Sequence, residues 1–264
     1  MQYCRFQHHN ATHYGLIEDA GGNQIITRTL LTAPRSFSDF KGAEKSELPL
    51  SAVRLLAPVE PTKIVCIGRN YREHAKELDH PIPTEPLFFL KPPSSLIGPD
   101  DEIRRPADLS QRVDYEGELG VVIGKRCYRL GESEDASSYI VGYTCVNDVT
   151  ARDLQNQDGQ WTRAKGFDTF CPVGPVVAED LDPWKGVRVR TSVNGELRQN
   201  GTTADFLFPL DVLLRFISQV MTLEPGDIIA TGTPAGVGPL KAGDVAEVTV
   251  EGLGTLRNPV VDRE

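Results

Sequence analysis

Glu116 and Glu118, separated by a single glycine, are the residues of this chain whose types and spacing point most directly to chemistry. In Asp114-Tyr115-Glu116-Gly117-Glu118-Leu119-Gly120-Val121-Val122-Ile123-Gly124 both carboxylates stand just before an apolar run. On a strand, residues two apart share a face, which places the pair about 6.6 Å apart along the chain. Two carboxylates so close repel, and beside a buried strand they need a metal ion, a proton or a base. Taken alone, such a pair usually sits solvated on an edge strand. Asp148 changes that reading, because it closes the aromatic and β-branched run Tyr139 to Val146 just before a helical start, Thr150-Ala151-Arg152-Asp153. An aspartate there can serve as an N-cap. As a third oxygen donor, with no His or Cys nearby, it favours Mg2+ or Mn2+, with Ca2+ admissible, over zinc.

Lys165, in Arg163-Ala164-Lys165-Gly166-Phe167-Asp168, is the next candidate. A lysine beside an acidic metal site can bind a substrate carboxylate or stabilise an enolate oxygen, although a single lysine is ordinarily a surface residue. His74 and Glu77 lie three apart on a short helix and share a face, as when a carboxylate orients an imidazole acting as general base. Spacing alone favours a solvated helix face. The run Thr231-Gly232-Thr233-Pro234-Ala235-Gly236-Val237-Gly238 follows a strand and could cradle a carboxylate with its amides, but it lacks the ending of a phosphate-binding P-loop. Trp161, Phe167 and Phe170 read as core or pocket wall.

These residues need elements to position them. Lys63 to Gly68 is an apolar run short enough for a buried strand. Asn70 follows as a helix N-cap with Glu73 three residues on, a weak capping box, and the helix runs toward Leu78 until Pro81 and Pro83 stop it. Leu87 to Leu90, Glu118 to Gly124, Tyr139 to Val146 and Val187 to Val193 are further strands, the last ended by Asn194-Gly195. One long helix begins at Pro209, where the missing N–H costs nothing, and Leu210, Leu213, Leu214, Ile217 and Met221 form its core stripe. Glu224-Pro225-Gly226-Asp227 turns into the strand Ile228 to Thr231. Short strands at Tyr3 to Phe6, His13 to Ile17 and Gln24 to Thr27, with a hairpin-type turn at Asp19 to Asn23, and a polar linker at Lys41 to Glu47 suggest a small N-terminal β domain over residues 1–56. A catalytic domain would then occupy residues 57–264. The expected class is mixed α/β with a mainly β core.

Composition narrows the function classes. With 264 residues the chain can bury a sizeable core without disulfide or structural-metal support. Its 24 glycines and 19 prolines suit a loop-rich, strand-rich protein. A formal net charge of −9 offers no basic footprint for nucleic acid, and an acidic protein handling anionic substrates must gather positive charge locally. Five cysteines, an odd number without a CxxC pair, argue against a disulfide framework or zinc finger. The start at Met1 is polar, and no apolar run of about 18 residues occurs. The expectation is a cytoplasmic protein that engages neither membrane nor nucleic acid.

Seven collinear stretches closely resemble the fumarylacetoacetate hydrolase family, especially its short acylpyruvase and oxaloacetate decarboxylase-like members. They are Lys63 to Tyr71, Phe89 to Pro92, Tyr115 to Gly120, Asn147 to Asp153, Ala164 to Phe167, Val193 to Gln199 and Asp227 to Gly238. The resemblance implies a mixed β-roll with a small N-terminal domain, and a homodimer. It puts one divalent cation on Glu116, Glu118 and Asp148 and makes Lys165 the enolate-stabilising lysine. Arg152, Gln155 and Thr233 would hold the substrate, with Arg69 and Tyr71 of the first stretch beside them. His74 and Glu77 match a dyad that activates water or orients substrate. The implied activity is cleavage of a C–C bond in a small 2-oxo acid through a metal-stabilised enolate, by acylpyruvate hydrolysis or oxaloacetate decarboxylation. The alternative is isomerisation or decarboxylation of 2-hydroxyhepta-2,4-diene-1,7-dioate-type diacids. A hydrolase, a lyase and an isomerase share this site chemistry, so the resemblance leaves the three open.

Overall fold

Strand Ile64–Gly68 is apolar and buried at every position because both of its faces are covered. In this computed structural model, which describes every residue except Leu78 and His80, it pairs in parallel with Ile228–Ala230 and antiparallel with Leu87–Lys91. Ile228–Ala230 pairs in turn with Gly117–Ile123, which continues to Ile140–Asn147 and then Cys171–Ala178. Gln2–His8 adds to the far side through Gln2 opposite Ala178 and Tyr3 opposite Val177, and Ala11–Asp19, Gln24–Leu30 and Glu44–Pro49 extend the sheet outward. The strands of the first 56 residues are therefore hydrogen-bonded into the same sheet as the strands that follow.

The polar stretch Lys41 to Glu47, expected as a linker, is instead the end of a short 3-10 turn, Phe37–Gly42, and the start of strand Glu44–Pro49. That strand is the sheet's outer edge. An edge strand gains from charged side chains, which deter pairing with other chains, so its composition looks like that of a loop.

Along Gly117–Ile123 the side chains alternate between two apolar layers. Leu119, Val121 and Ile123 pack with Leu210, Leu213, Leu214 and Ile217 of helix Leu210–Val220 and with Val189, Val248 and Val250. The last three belong to a five-stranded sheet built from Glu196–Thr202, Arg188–Val193, Val245–Val250, Gly254–Asp262 and Ile103–Arg105. On the other face Val122 packs with Ile64, Cys66, Val146, Cys171 and Ala230. A small third sheet joins Val113–Tyr115 to Thr150–Ala151 and Gly238–Pro239. The fold is mixed α/β and mainly β. All five cysteines are buried and unpaired, and among the described residues no helix is long and apolar enough to cross a membrane.

Asn70 does not cap the helix that follows it. Its fully buried side chain donates to the carbonyls of Phe208 (3.2 Å) and Thr231 (2.8 Å) and accepts from the Phe208 N–H (2.9 Å). It thus pins the turn after Ile64–Gly68 to the glycine-rich loop and to the start of the long helix. Tertiary bonding has overridden the capping pattern. Replacing Asn70 by Ala strands those groups away from water, and urea unfolding should show a loss of about 2–4 kcal/mol. A loss under about 1 kcal/mol would mean that the turn holds without it.

Candidate metal centre and active site

Several chain segments end together at one margin of the large sheet. Gly117, the first residue of its strand, pairs with Asn147, the last of its own, and Gly120 pairs with Ala230 at the end of Ile228–Ala230. Ile64–Gly68 runs parallel to Ile228–Ala230 and ends at the same margin. Glu116 lies between strands Val113–Tyr115 and Gly117–Ile123 rather than within one continuous strand. Its N–H donates to Asn147 Oδ1 (3.0 Å) and its carbonyl accepts from the Asp148 N–H (2.8 Å). The break at Glu116 therefore locks it to the turn that carries Asp148. Asp148 caps nothing, since helix Arg152–Asp158 starts at Ala151 without a side-chain cap.

The result is a buried trio. Carboxylate oxygens of Glu116, Glu118 and Asp148 lie within 4.8 Å of one another. Lys165 Nζ donates to Glu116 Oε2 (2.8 Å) and Asp148 Oδ2 (2.7 Å), from the end of the one-turn helix Thr162–Lys165. Lys91 Nζ donates to Asp148 Oδ1 (2.7 Å) and to the Val149 carbonyl (3.1 Å). Arg152 pairs through Nη2 with Glu116 Oε1 and through Nε with Asp114 Oδ2 (2.9 Å), while its Nη1 donates to Gln155 Oε1 (2.5 Å).

Glu118 is different. Among the described residues its carboxylate accepts one hydrogen bond, from the Gly232 N–H at 2.8 Å, and pairs with no cation. Only glycine serves at position 232, because φ is +99° and a Cβ would lie 2.7 Å from Asn70 Cβ. Burial, followed by the negative charges of Asp148 and Glu116, pushes the Glu118 carboxyl well above the usual carboxylate range. Burial also acts upward on Glu116, but Lys165 and Arg152 outweigh it and hold that group low. Burial acts downward on Lys165, and Asp148 and Glu116 more than restore it, so its ammonium stays charged. Three clustered oxygen donors, one of them without a counter-charge, fit a hard divalent cation.

One cavity joins these groups. It is lined by the three carboxylates with Arg69, His74, Phe89, Arg152, Gln155, Trp161, Lys165 and Thr233, and leaves about 20 Å³ for a water-sized occupant. His74 is turned inward and buried, although spacing alone favoured a solvated helix face. Its Nδ1 lies 3.3 Å from Glu77 Oε2, and Glu77 also accepts from the Gly236 N–H at 3.0 and 3.2 Å. That loop contact draws the helix face inward, which spacing cannot reveal. Burial raises the Glu77 carboxyl less than His74 and the Gly236 amide lower it, so it stays ionised. The Thr233 hydroxyl donates to the Gly117 carbonyl (2.9 Å) and accepts from Gln199 Nε2 (2.7 Å). Tyr71 is not among the lining residues: its ring meets Phe206 at 5.1 Å and its buried hydroxyl has no partner. Trp161 is cavity wall, whereas Phe170 belongs to the core.

Sequence reasoning passed over Lys91, Asp114 and Gln199. Gln199 is fully buried and accepts from the Gly117 N–H (2.9 Å), tying the carboxylate strand to the Thr233 loop. Lys91 carried a readable signal, a lysine closing an apolar strand just before a proline.

Residues 63–261 match the family model for the fumarylacetoacetate (FAA) hydrolase C-terminal domain, and residues 1–58 match the Rv2993c-like N-terminal model. Oxaloacetate tautomerase YisK of Bacillus subtilis is 45% identical over 81% of this chain and 76% of its own length. The mitochondrial oxaloacetate tautomerase fahd2 of Xenopus laevis is 46% identical over 81% of this chain and 70% of its own. A crystal structure of 2-hydroxyhepta-2,4-diene-1,7-dioate isomerase from Mycobacterium marinum superposes with a TM-score of 0.89 at 43% identity, over 100% of this chain and 99% of that one.

Glu118 sets a pH test. A carboxyl whose folded pKa is raised supports folding below its unfolded value of about 4.3, and that support is lost as pH rises through the folded value. Without divalent cation, stability should therefore fall as pH rises above the unfolded carboxyl value of about 4.3, and Glu118→Gln should flatten that slope. Mn2+ at a hundredfold excess over its Kd should add about 2.7 kcal/mol to the parent protein and little to the variant. Thermal unfolding across pH reads both. Equal Mn2+ stabilisation of the two proteins would remove Glu118 from the ligand set.

Proposed function

The chain belongs to the fumarylacetoacetate hydrolase family of enzymes, and from that premise we propose that it acts on small 2-oxo acids by way of their enol forms. The observation that carries this reading is the convergence of three buried carboxylates, a charged lysine and an inward-facing histidine on one cavity. Glu116, Glu118 and Asp148 would hold a divalent cation, Mg2+ or Mn2+ by their oxygen donors, which would supply Lewis acidity to the bound oxo acid.

The chain's own groups do the rest. Lys165 cannot act as base while Asp148 and Glu116 keep it protonated, so its role is to donate a hydrogen bond to an oxygen that gains negative charge. Ionised Glu77 at Nδ1 fixes the His74 tautomer and leaves Nε2 free to take or return a proton. Arg152 holds the Gln155 amide at the cavity wall. About 20 Å³ of the cavity is free for a water-sized occupant, so a 2-oxo acid would need its lining side chains, His74 on helix Arg72–Glu77 among them, to give way.

Keto–enol tautomerisation of an oxaloacetate-type acid needs only this proton transfer beside a stabilised oxyanion, and two relatives carry that activity in their names. C–C cleavage is the second reading, because a His–Glu pair is also suited to activating water for hydrolysis. A homodimer follows from family resemblance, and sedimentation should then give twice the 29.0 kDa chain mass; a monomer would refute it.

Removing the base should slow the enol step most. His74→Gln should lower kcat for oxaloacetate enolisation, followed by ultraviolet absorbance, by about 10²–10⁴-fold. Calorimetric Mn2+ affinity should stay within a few-fold, since His74 is no ligand. A kcat loss below about tenfold would place the proton transfer elsewhere. Assaying acetylpyruvate cleavage with the same proteins separates the two readings, because only hydrolysis consumes water.

A further inference from the structure

We propose that the first hairpin of the chain is a second metal site, in which His8, His9 and His13 bind a borderline divalent cation such as Zn2+ through their imidazole nitrogens. Three of the chain's five histidines fall within the six residues His8-His9-Asn10-Ala11-Thr12-His13. The carboxylate trio at the sheet margin uses oxygen donors and none of these side chains.

The hairpin register gathers the three rings. Gln2–His8 and Ala11–Asp19 pair antiparallel, with Phe6 opposite His13 and His8 opposite Ala11. Positions two apart on a strand share a face, so His8 and His13 stand diagonally across the two strands on one face. Aromatic side chains still reach one another at that spacing. Buried Phe6 seats the His13 ring, the two rings stacking with centroids 5.4 Å apart at 23°. The His8 and His9 ring centroids are 3.9 Å apart. Pairing as far as His8 and Ala11 leaves His9 and Asn10 as a two-residue loop, with φ of +46° and +62°. A tight hairpin turn with positive φ at both central positions is met most readily by asparagine and glycine. Asn10 follows that preference; the residue before it is instead a histidine whose ring lies against His8.

Three imidazoles this close repel one another when protonated and ligate a metal when neutral. Desolvation, followed by His9 and His13, lowers the His8 imidazole below its ordinary value, which favours the ligating form. Imidazole suits Zn2+, Ni2+ and Cu2+, whereas carboxylates suit Mg2+ and Mn2+, so the two sites select different ions. Among the described residues only the carboxylate trio has all its ligand atoms within 4.8 Å of one another, so the ion draws the imidazoles together by turning their rings. His9 is exposed at the turn, and its rotation opens no cavity in the core. Once bound, the ion cross-links the two strands and stabilises the folded hairpin by mass action.

The test is a calorimetric Zn2+ titration of the full-length protein in saturating Mg2+, with Glu118→Gln run in parallel to remove binding at the carboxylate trio. A micromolar event should appear in the parent and persist in Glu118→Gln. His8→Ala, His13→Ala and His9→Asn should each weaken it by at least about tenfold, since losing even a group behind a metal ligand costs that much. Calorimetric Mn2+ affinity should stay unchanged in the three histidine variants. His9→Asn replaces an exposed residue by one that suits the turn, so it decides the matter if either alanine variant fails to fold. X-ray absorption at the zinc edge of the Glu118→Gln protein should show a shell dominated by imidazole nitrogen. No Zn2+ event in the parent, an event lost in Glu118→Gln, an event unchanged in the histidine variants, or an oxygen-only shell overturns the site.

Discussion

Three carboxylates with oxygens within 4.8 Å of one another, buried at the end of a sheet, are the constraint around which this protein is arranged. Left alone, such a cluster would take up protons or open to water. Lys165, Lys91 and Arg152 surround Glu116 and Asp148 with positive charge from three separate elements. Glu118 receives only a backbone amide. The compensation is thus incomplete, and the missing charge is one that a divalent cation would supply. Buried ionic networks of this kind add little net stability over well-packed apolar residues; what the charged groups contribute is a defined arrangement of donors.

The floor of the site and its proposed base are supported in different ways. The acidic floor sits on strands whose faces are covered by two apolar layers, and Asn70 and Gln199 brace the loops above it with buried hydrogen bonds. His74, the proposed base, is carried by a six-residue helix with an exposed outer face, tethered through Glu77 to the Gly236 amide. A short helix has little stability of its own. Donors that must hold a cation in fixed geometry gain from the first arrangement, and a group that must admit substrate and return gains from the second.

Much of this was legible in the residues. The apolar runs located the central strands, and the two glutamates before Leu119, with Asp148 at a strand end, marked the floor because carboxylates beside buried strands need a reason. What escaped notice depended on contacts distant in sequence. Asn70 reads as a cap until its partners Phe208 and Thr231 are known. Lys41 to Glu47 reads as a linker because an edge strand is composed like one. His74 reads as solvated because the Gly236 loop that draws its helix inward lies some 160 residues away. Lys91 and Asp114 went unread because a lone charged residue in a strand looks like a surface residue until its partner is found.

The most direct test of the account is anomalous diffraction at the manganese edge from crystals grown with Mn2+. A single strong peak within coordination distance of Glu116, Glu118 and Asp148 together, lost in Glu118→Gln crystals, is the predicted result. A cluster that stays closed on Lys165 in saturating Mn2+, or a peak bound by other residues, would contradict it.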